Sequence, residues 1–273
     1  MVLFPNCKIN IGLNITGKRP DGFHNLQTVF YPLAVKDALE IIDSKENTQP
    51  VLFRSTGIAI DGNDENNLCI KAYRLLKKDF PQLPSIQMHL HKNIPIGAGL
   101  GGGSADAAFT LKLLNTKYAL GLSQQALVNY AAALGSDCPF FILNKPCYAT
   151  GRGEILKEIS LDLSAYKILI VNPGIHINTH LAFSQLNIKE KTVTDLKELV
   201  QQPISSWQQN MVNDFELPVF AAHPEIEIMK TDLYTQGALY ASMSGSGSSV
   251  FGIFEKDNHP IINFPAHYFY RCA

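Results

Sequence analysis

The 273-residue sequence predicts an α+β protein built of two-layer halves. Three observations lead there. Several segments alternate apolar and polar residues with period two. Others carry the helical period with capping residues at their starts. The two kinds follow one another without the regular strand–helix alternation of a doubly wound sheet.

The first strand is read over Lys8–Ile15. Ile9, Ile11, Leu13 and Ile15 take one face, and Lys8, Asn10, Gly12 and Asn14 take the other, the pattern of a half-buried strand. A loop follows, "TGKRPDGFHN", with Pro20 and the Asp21-Gly22 turn signal. Further strands are expected at Gln27–Leu33, Ala38–Asp43 and Val51–Ser55, then a helix over residues 66–80 capped by Asn66 or Asn67. "SIQMHLHKN" alternates again. A glycine-dense loop leads from it into a helix over Ser104–Asn115, and Ser123 caps a helix that stops at Gly135. "GRGE" at 151–154 reads as a turn between two strands. The boundary between halves is expected near residues 150–165, before the apolar strand "KILIVNP". Helices are then expected at Thr192–Gln201, Ser205–Ala222 and Pro224–Gln236. Strands at Leu239–Met243 and Ser249–Phe254 are joined by "SGSGS", and a last strand, "AHYFYR", closes the chain.

A formal net charge of -1 with evenly mixed charges excludes a basic nucleic-acid face. No apolar run approaches the ~18 residues of a membrane span. The start "MVLFPNCKINIGLN" lacks the form of a signal peptide. Cys7, Cys69, Cys138, Cys147 and Cys272 have no paired spacing, so they are expected to be reduced, buried thiols of a cytoplasmic protein without a protein zinc site.

"NIPIGAGLGGGSADAA" is the segment richest in chemistry. Gly97, Gly99 and Gly102 formally satisfy G-x-G-x-x-G, but Pro95 separates the strand from the glycines and no acid follows near residue 120 to hold a ribose. No lysine precedes Ser104, so it is not a Walker loop either. A glycine-dense turn running into a helix N-terminus can close backbone amides around a phosphate, with Ser104 capping the helix or meeting the phosphate or its metal.

Three separated segments resemble the GHMP kinases. "PIGAGLGGGSADAA" is similar to the family's P-x-x-x-G-L-G-[GS]-[GS]-S-A loop, and "SMSGSGSSVFGIF" to its third motif. "KINIGLNITGKRPDGFHNLQTVF" is similar to the first motif of one branch, K-I-N-L-x-L-x-I-x-G-x-R-x-D-G-Y-H, and "GSDCPFF" and "NPGIHINTHLAF" agree with that branch. The resemblance runs from residue 3 to beyond residue 254. It implies a two-domain GHMP kinase architecture: an N-terminal ATP-binding α/β domain, residues 1–158, and a C-terminal ferredoxin-like α+β domain, residues 159–273, with the active site in the cleft between them. It implies ATP-dependent phosphorylation of the 2-hydroxyl of 4-diphosphocytidyl-2-C-methylerythritol in the non-mevalonate route to isoprenoid precursors. Homoserine- or mevalonate-type kinases of the family are the alternative, disfavoured because "DGFH" has no cytosine to hold there. A non-catalytic relative should lack Lys8 or Asp137, and both are present.

The resemblance also assigns roles. Asp137, on local sequence as readily a turn residue, aligns with the catalytic aspartate. Lys8 is placed near it, keeping it ionised and polarising the attacking hydroxyl. Pro95, Gly97, Ala98, Gly99, Leu100, Gly101, Gly102, Gly103 and Ser104 form the ATP loop, and Asn66 and Lys92 align with positions near the adenine. Asn10 helps hold the substrate. His24 pairs with cytosine, Phe23 packs on the base, and Phe183 takes its other face. Gly245 and Ser246, in the second glycine-rich turn, shape the substrate cleft. Phe23 stands where tyrosine is usual, Asn25 where glutamate is, and Ala98 where glycine is frequent. That last change is tolerable if Ala98 keeps φ below zero. Mg2+ is expected to arrive with ATP and to be held partly through Ser104. The partners are small molecules, with no nucleic acid and no membrane, and the chain is a monomer or homodimer.

Overall fold

The computed structural model describes residues 1–45, 49–60, 62–186, 195–261 and 263–273. They form two compact units, each discontinuous in sequence. One comprises Met1–Cys7, Ala34–Ile96 and Gly101–Lys145. The other comprises Lys8–Leu33, Gly97–Leu100 and Pro146–Ala273.

The first unit is a sheet with helices. Its strand order is β1 (Val2–Leu3), β4 (Ala38–Asp43), β6 (Ile86–Lys92), β5 (Val51–Gly57). β4 and β6 pair antiparallel, with Leu39 opposite Leu90, whereas β5 and β6 run parallel, with Phe53 opposite Met88. A parallel pair needs a crossover, and α1 (Leu68–Asp79) supplies it. Asn67 caps α1 by accepting from the Cys69 amide at 2.9 Å. The buried face of the helix carries Cys69, Ile70, Ala72, Tyr73 and Leu76. α2 (Gly102–Lys117), α3 (Gln124–Leu134) and α4 (Cys138–Leu143) complete the unit. Ser123 caps α3 as expected.

The second unit holds two sheets. One has the order β2 (Asn6–Lys18), β3 (His24–Lys36), β7 (Cys147–Thr150), β8 (Ile155–Glu158), and the 151–154 turn joins the last two. The other is antiparallel throughout, in the order β10 (Tyr240–Met243), β11 (Val250–Glu255), β9 (Tyr166–Asn172), β12 (Phe269–Cys272). The helices of this unit are α5 (Thr179–Ser184), α6 (Leu196–Leu199), α7 (Trp207–Asn210), α8 (Glu216–Ala222) and α9 (Pro224–Thr235). Ile226, Met229 and Leu233 of α9 share a core with Leu169 and Val171 of β9, Val250 and Phe254 of β11, and Leu13 and Ile15 of β2. That shared core explains why the N-terminal strand groups with C-terminal residues instead of following a single cut of the chain.

Several expectations need correction. β2 is buried on both faces, not one: Lys8 and Asn10 are 3% exposed and Asn14 is 6%. The helix expected over Ser205–Ala222 is broken at Met211–Phe215. There the Leu13 amide donates to the Val212 carbonyl, the Asp214 amide donates to the Leu13 carbonyl, and the Ile15 amide donates to the Asp214 carboxylate. Pairing with β2 replaces the helical bonds. Of the helix expected at Thr192–Gln201, residues 192–194 lie outside the described residues, and α6 covers only Leu196–Leu199. The last strand starts three residues late, because Pro265–Tyr268 closes a turn. Cys272 is exposed, unlike the other cysteines.

Candidate active site

In the second unit the sequence-predicted residues gather around one backbone carbonyl. The Lys8 ammonium donates to Gly99 O at 3.0 Å and to Asn10 Oδ1 at 2.5 Å, and it lies 5.1 Å from the Phe30 ring centroid. Asn10 Nδ2 donates to Thr28 Oγ1 at 3.0 Å, and Thr28 Oγ1 donates to the Gly12 carbonyl at 2.6 Å. Alternation on β2 points Lys8 and Asn10 the same way, and the burial of both makes their partners obligatory. Ser244 completes the group: its Oγ donates to Gly99 O at 2.8 Å and accepts from the Asn10 amide at 3.2 Å. Gly99 has φ +77°, and a Cβ there would fall 1.9 Å from the Ser244 carbonyl oxygen, so only glycine fits. Gly245, at φ +60°, packs against Gly99, and Ser246 Oγ lies 3.0 Å from Thr179 Oγ1. Ser244 and Thr28 lie inside two of the quoted motif segments, but nothing in local pattern marks their part in this group. Their positions follow from strand pairing over long sequence separations.

The predicted base-binding residues are present in the same unit in a different arrangement. His24 and Phe183 stack on each other, with centroids 5.0 Å apart and planes 13° from parallel, and Phe183 meets Phe215 edge-on at 4.8 Å. Phe23 is 53% exposed, with the Arg152 guanidinium 4.8 Å from its ring centroid. Phe183 thus faces His24, and Arg152 sits over Phe23. Burial first, then the Lys18 ammonium, holds His24 below the ordinary imidazole value. Arg19 is paired with Asp21 at 3.0 Å and donates to Asn25 Oδ1 at 3.3 Å.

The first unit carries the helix end of the loop. Of the two expectations for Ser104, capping is not met: Ser104 lies within the first turn of α2. Gly101 takes the cap position at φ +70°, and no side chain caps this end. Its first-turn amides are therefore oriented for an anion, and Gly103 has open space where a Cβ would lie. Ala98 does not have positive φ, so it fits where glycine is frequent. Pro95 and Gly97 precede it, and Leu100 is buried.

Asp137 immediately precedes α4 and makes no capping hydrogen bond to it. Pro139 sits in the first turn of that helix, and Lys112 of α2 donates to the Phe141 carbonyl at 2.8 Å, tying the two helices together. Burial pushes the Cys138 thiol up to about 12 against a hydrogen bond with Ser104, and the nearby Asp137 charge adds to the rise. Ser104 and Asp137 therefore flank the same buried thiol.

Lys92 is corrected. Its ammonium is buried, ion-paired with Asp37 and, at 2.8 Å, with Asp106, so it is not available to an adenine. Asp37 also accepts from the Asn93 and Ile94 amides, at 2.6 and 2.8 Å. The ammonium lies under Gly102, where a Cβ would be 3.3 Å from it. Burial lowers the affinity of Lys92 for its proton, but the two carboxylates outweigh that and raise it. Asn66 is exposed and lies one residue before the cap of α1.

Among the described residues no group of three or more His, Cys, Asp or Glu could hold a metal ion, and no helix is long and apolar enough to cross a membrane. The donors near the loop, Ser104 and Asp137, are hard oxygens that suit magnesium carried by a nucleotide.

Two family models match the chain: GHMP kinases N terminal domain over residues 67–145, and GHMP kinases C terminal over residues 195–262. A 4-diphosphocytidyl-2-C-methyl-D-erythritol kinase of Bacteroides fragilis is 52% identical over 257 residues, 94% of this chain and 93% of that one. The enzyme of the same name from Azobacteroides pseudotrichonymphae is 48% identical over 271 residues, 98% of this chain and all of that one. A crystal structure of 4-(cytidine 5'-diphospho)-2C-methyl-D-erythritol kinase superposes with a TM-score of 0.80 at 29% identity, covering 93% of this chain and 90% of its own. Methanococcus jannaschii mevalonate kinase, with a TM-score of 0.71 at 14% identity over 94% and 92% of the two chains, shares the fold. This chain belongs to the GHMP kinase family, in the branch of the 4-diphosphocytidyl-2-C-methyl-D-erythritol kinases.

Proposed function

We propose that this chain transfers the γ-phosphoryl group of ATP to the 2-hydroxyl of 4-diphosphocytidyl-2-C-methyl-D-erythritol. One observation carries the choice of acceptor. Relatives named for that activity are 41–52% identical across nearly the whole chain, whereas the mevalonate and homoserine kinase structures are 12–18% identical. The His24–Phe183 stack supports it, because a flat base can exchange for one ring of a stacked pair at little loss of contact.

The hydroxyl oxygen forms its bond to the γ-phosphorus as the bond to the bridging oxygen of ADP breaks, and the hydroxyl proton passes to the Asp137 carboxylate. Lys8 takes the charge-stabilising role that the family resemblance gives it, its ammonium oriented by Gly99 and Asn10. Backbone amides of Gly101–Ser104 hold the phosphates, and Gly97, Ala98 and Leu100 shape the approach to them. Magnesium, held through Ser104 and the phosphates, would neutralise charge on the transferred group. Asn10, Phe23, His24, Phe183, Gly245 and Ser246 hold the acceptor, and Asn66 lies toward the adenine. Residues 1–158 are the ATP-binding domain and 159–273 the C-terminal domain in this reading. A cytoplasmic location accompanies it.

The test is an ADP-release assay with three acceptors: 4-diphosphocytidyl-2-C-methyl-D-erythritol, mevalonate and homoserine. The first should give a kcat/KM at least 10³-fold above the others, as expected where polar groups on the acceptor are matched by the site. Comparable values for all three would sink the assignment.

A further inference from the structure

The segment Asn213–Glu216, "NDFE", grips the third-motif turn, and none of its side chains has a role in the mechanism above. Asn213 is 3% exposed, and both donor hydrogens and the oxygen of its amide are engaged. Nδ2 donates to the Met243 carbonyl at 2.7 Å and to the Gly245 carbonyl at 2.8 Å, while Oδ1 accepts from the Phe215 amide at 3.0 Å. Those two carbonyls stand on either side of Ser244. Three residues on, Glu216 Oε1 accepts from the Met243 amide at 2.8 Å and from Ser242 Oγ at 3.0 Å, and its other oxygen pairs with Lys230 at 2.7 Å.

We propose that Asn213 is a positioning residue for the phosphorylation reaction, setting the Ser244–Gly245 turn and through it the Gly99 carbonyl on which Lys8 is oriented. The proposal rests on the kinase reading. The path is continuous within one unit. Asn213 fixes the carbonyls flanking Ser244, Ser244 Oγ donates to Gly99 O, and the Lys8 ammonium donates to the same oxygen. A two-donor amide suits this task, because it can hold two converging carbonyls at once; among the described residues the Met243 carbonyl has only a long 3.4 Å contact from Ser242 Oγ besides. The backbone of the segment is itself tied to β2, where Leu13 exchanges hydrogen bonds with Val212 and Asp214. One short segment thus registers the strand carrying Lys8 against the turn carrying Ser244.

Two measurements decide it. In the wild-type chain without ligands, the Asn213 Nδ2 protons should exchange with solvent at least about a hundredfold more slowly than those of the exposed Asn66. Equal rates overturn the proposal without any variant having to fold. The second compares Asn213→Ala, Ser244→Ala and the double variant, each assayed well below its melting temperature with both substrates saturating. Asn213→Ala should lower kcat about ten- to a hundredfold, the range of a displaced catalytic group. The double variant should be little slower than the worse single one. An unchanged kcat with a lowered melting temperature would make Asn213 merely structural and overturn the role; losses that multiply would do the same. Absence of kinase activity in the wild type would instead remove the kinase reading, and the positioning role with it, while the side-chain exchange rates still report whether the clamp exists.

Discussion

The Lys8 ammonium and the Gly99 carbonyl, ninety-one residues apart in sequence, are joined by a 3.0 Å hydrogen bond inside a buried polar group. The contact places the charge of the first strand on the backbone of the glycine loop. It also explains why a lysine is tolerated at 3% exposure: a buried ammonium needs several acceptors, and here Asn10 and Gly99 supply them. Lys8→Met keeps the length of the side chain and removes the charge. The prediction is a fall in kcat of about 10²–10³-fold, the usual loss for a charge-stabilising group, with smaller changes in KM. Steady-state kinetics on a variant shown to be folded by circular dichroism checks it, and an unchanged kcat would restrict Lys8 to a structural role.

Asp137→Asn preserves shape and removes the proton acceptor. Turnover should fall about 10²–10⁴-fold, while calorimetry should still detect binding of both substrates. Loss of binding with turnover of the remaining complex intact would assign Asp137 to ligand contact instead.

The loop glycines separate into two kinds. Gly99→Ala drives a Cβ into the Ser244 carbonyl and strains a φ of +77°, so it should lower the melting temperature markedly. Gly103→Ala meets nothing within 4 Å and sits in the first turn of α2, so the fold should be kept or slightly gain. Its methyl group enters the space proposed for phosphate, and ATP affinity should drop. A Gly103→Ala protein that binds ATP as tightly as wild type would falsify the phosphate-cradle reading.

His24 should titrate below the ordinary imidazole value of 6.5. The unfolded chain then takes up the proton first on acidification. The associated stability is complete above the unfolded value and declines as pH falls from there to the folded value. NMR titration of the ring should show the depressed midpoint, and Lys18→Met should raise it only part of the way, because burial is the larger cause. A midpoint at or above 6.5 contradicts this account. His24→Ala should weaken binding of the cytidine substrate far more than that of ATP; equal losses would mean that the histidine is structural.

Period two made β2 and β6 legible in the sequence, and Asn67, Ser123 and the glycine run made the starts of α1, α3 and α2 legible. The break at Met211–Phe215 was not, because apolar spacing there fits a helix and only pairing with β2 overrides it. Lys8, Asn10 and Asp137 could be singled out by motif, but the full burial of Lys8 could not. It depends on Ser244, Thr28 and Gly99, which come from three distant segments. Lys92 misled for a related reason: its partners Asp37 and Asp106 lie 55 and 14 residues away, and no local spacing announces a buried ion triad. Phe183 could be singled out by motif, whereas its stacking on His24 depends on the packing of two distant segments.

The most direct test of the proposed activity is a phosphorus NMR time course of the purified chain with ATP, magnesium and 4-diphosphocytidyl-2-C-methyl-D-erythritol. The account predicts growth of one phosphomonoester resonance in step with ADP, while the cytidine diphosphate resonances of the acceptor persist. ADP appearing with inorganic phosphate and no monoester, or no ADP at all, would contradict it.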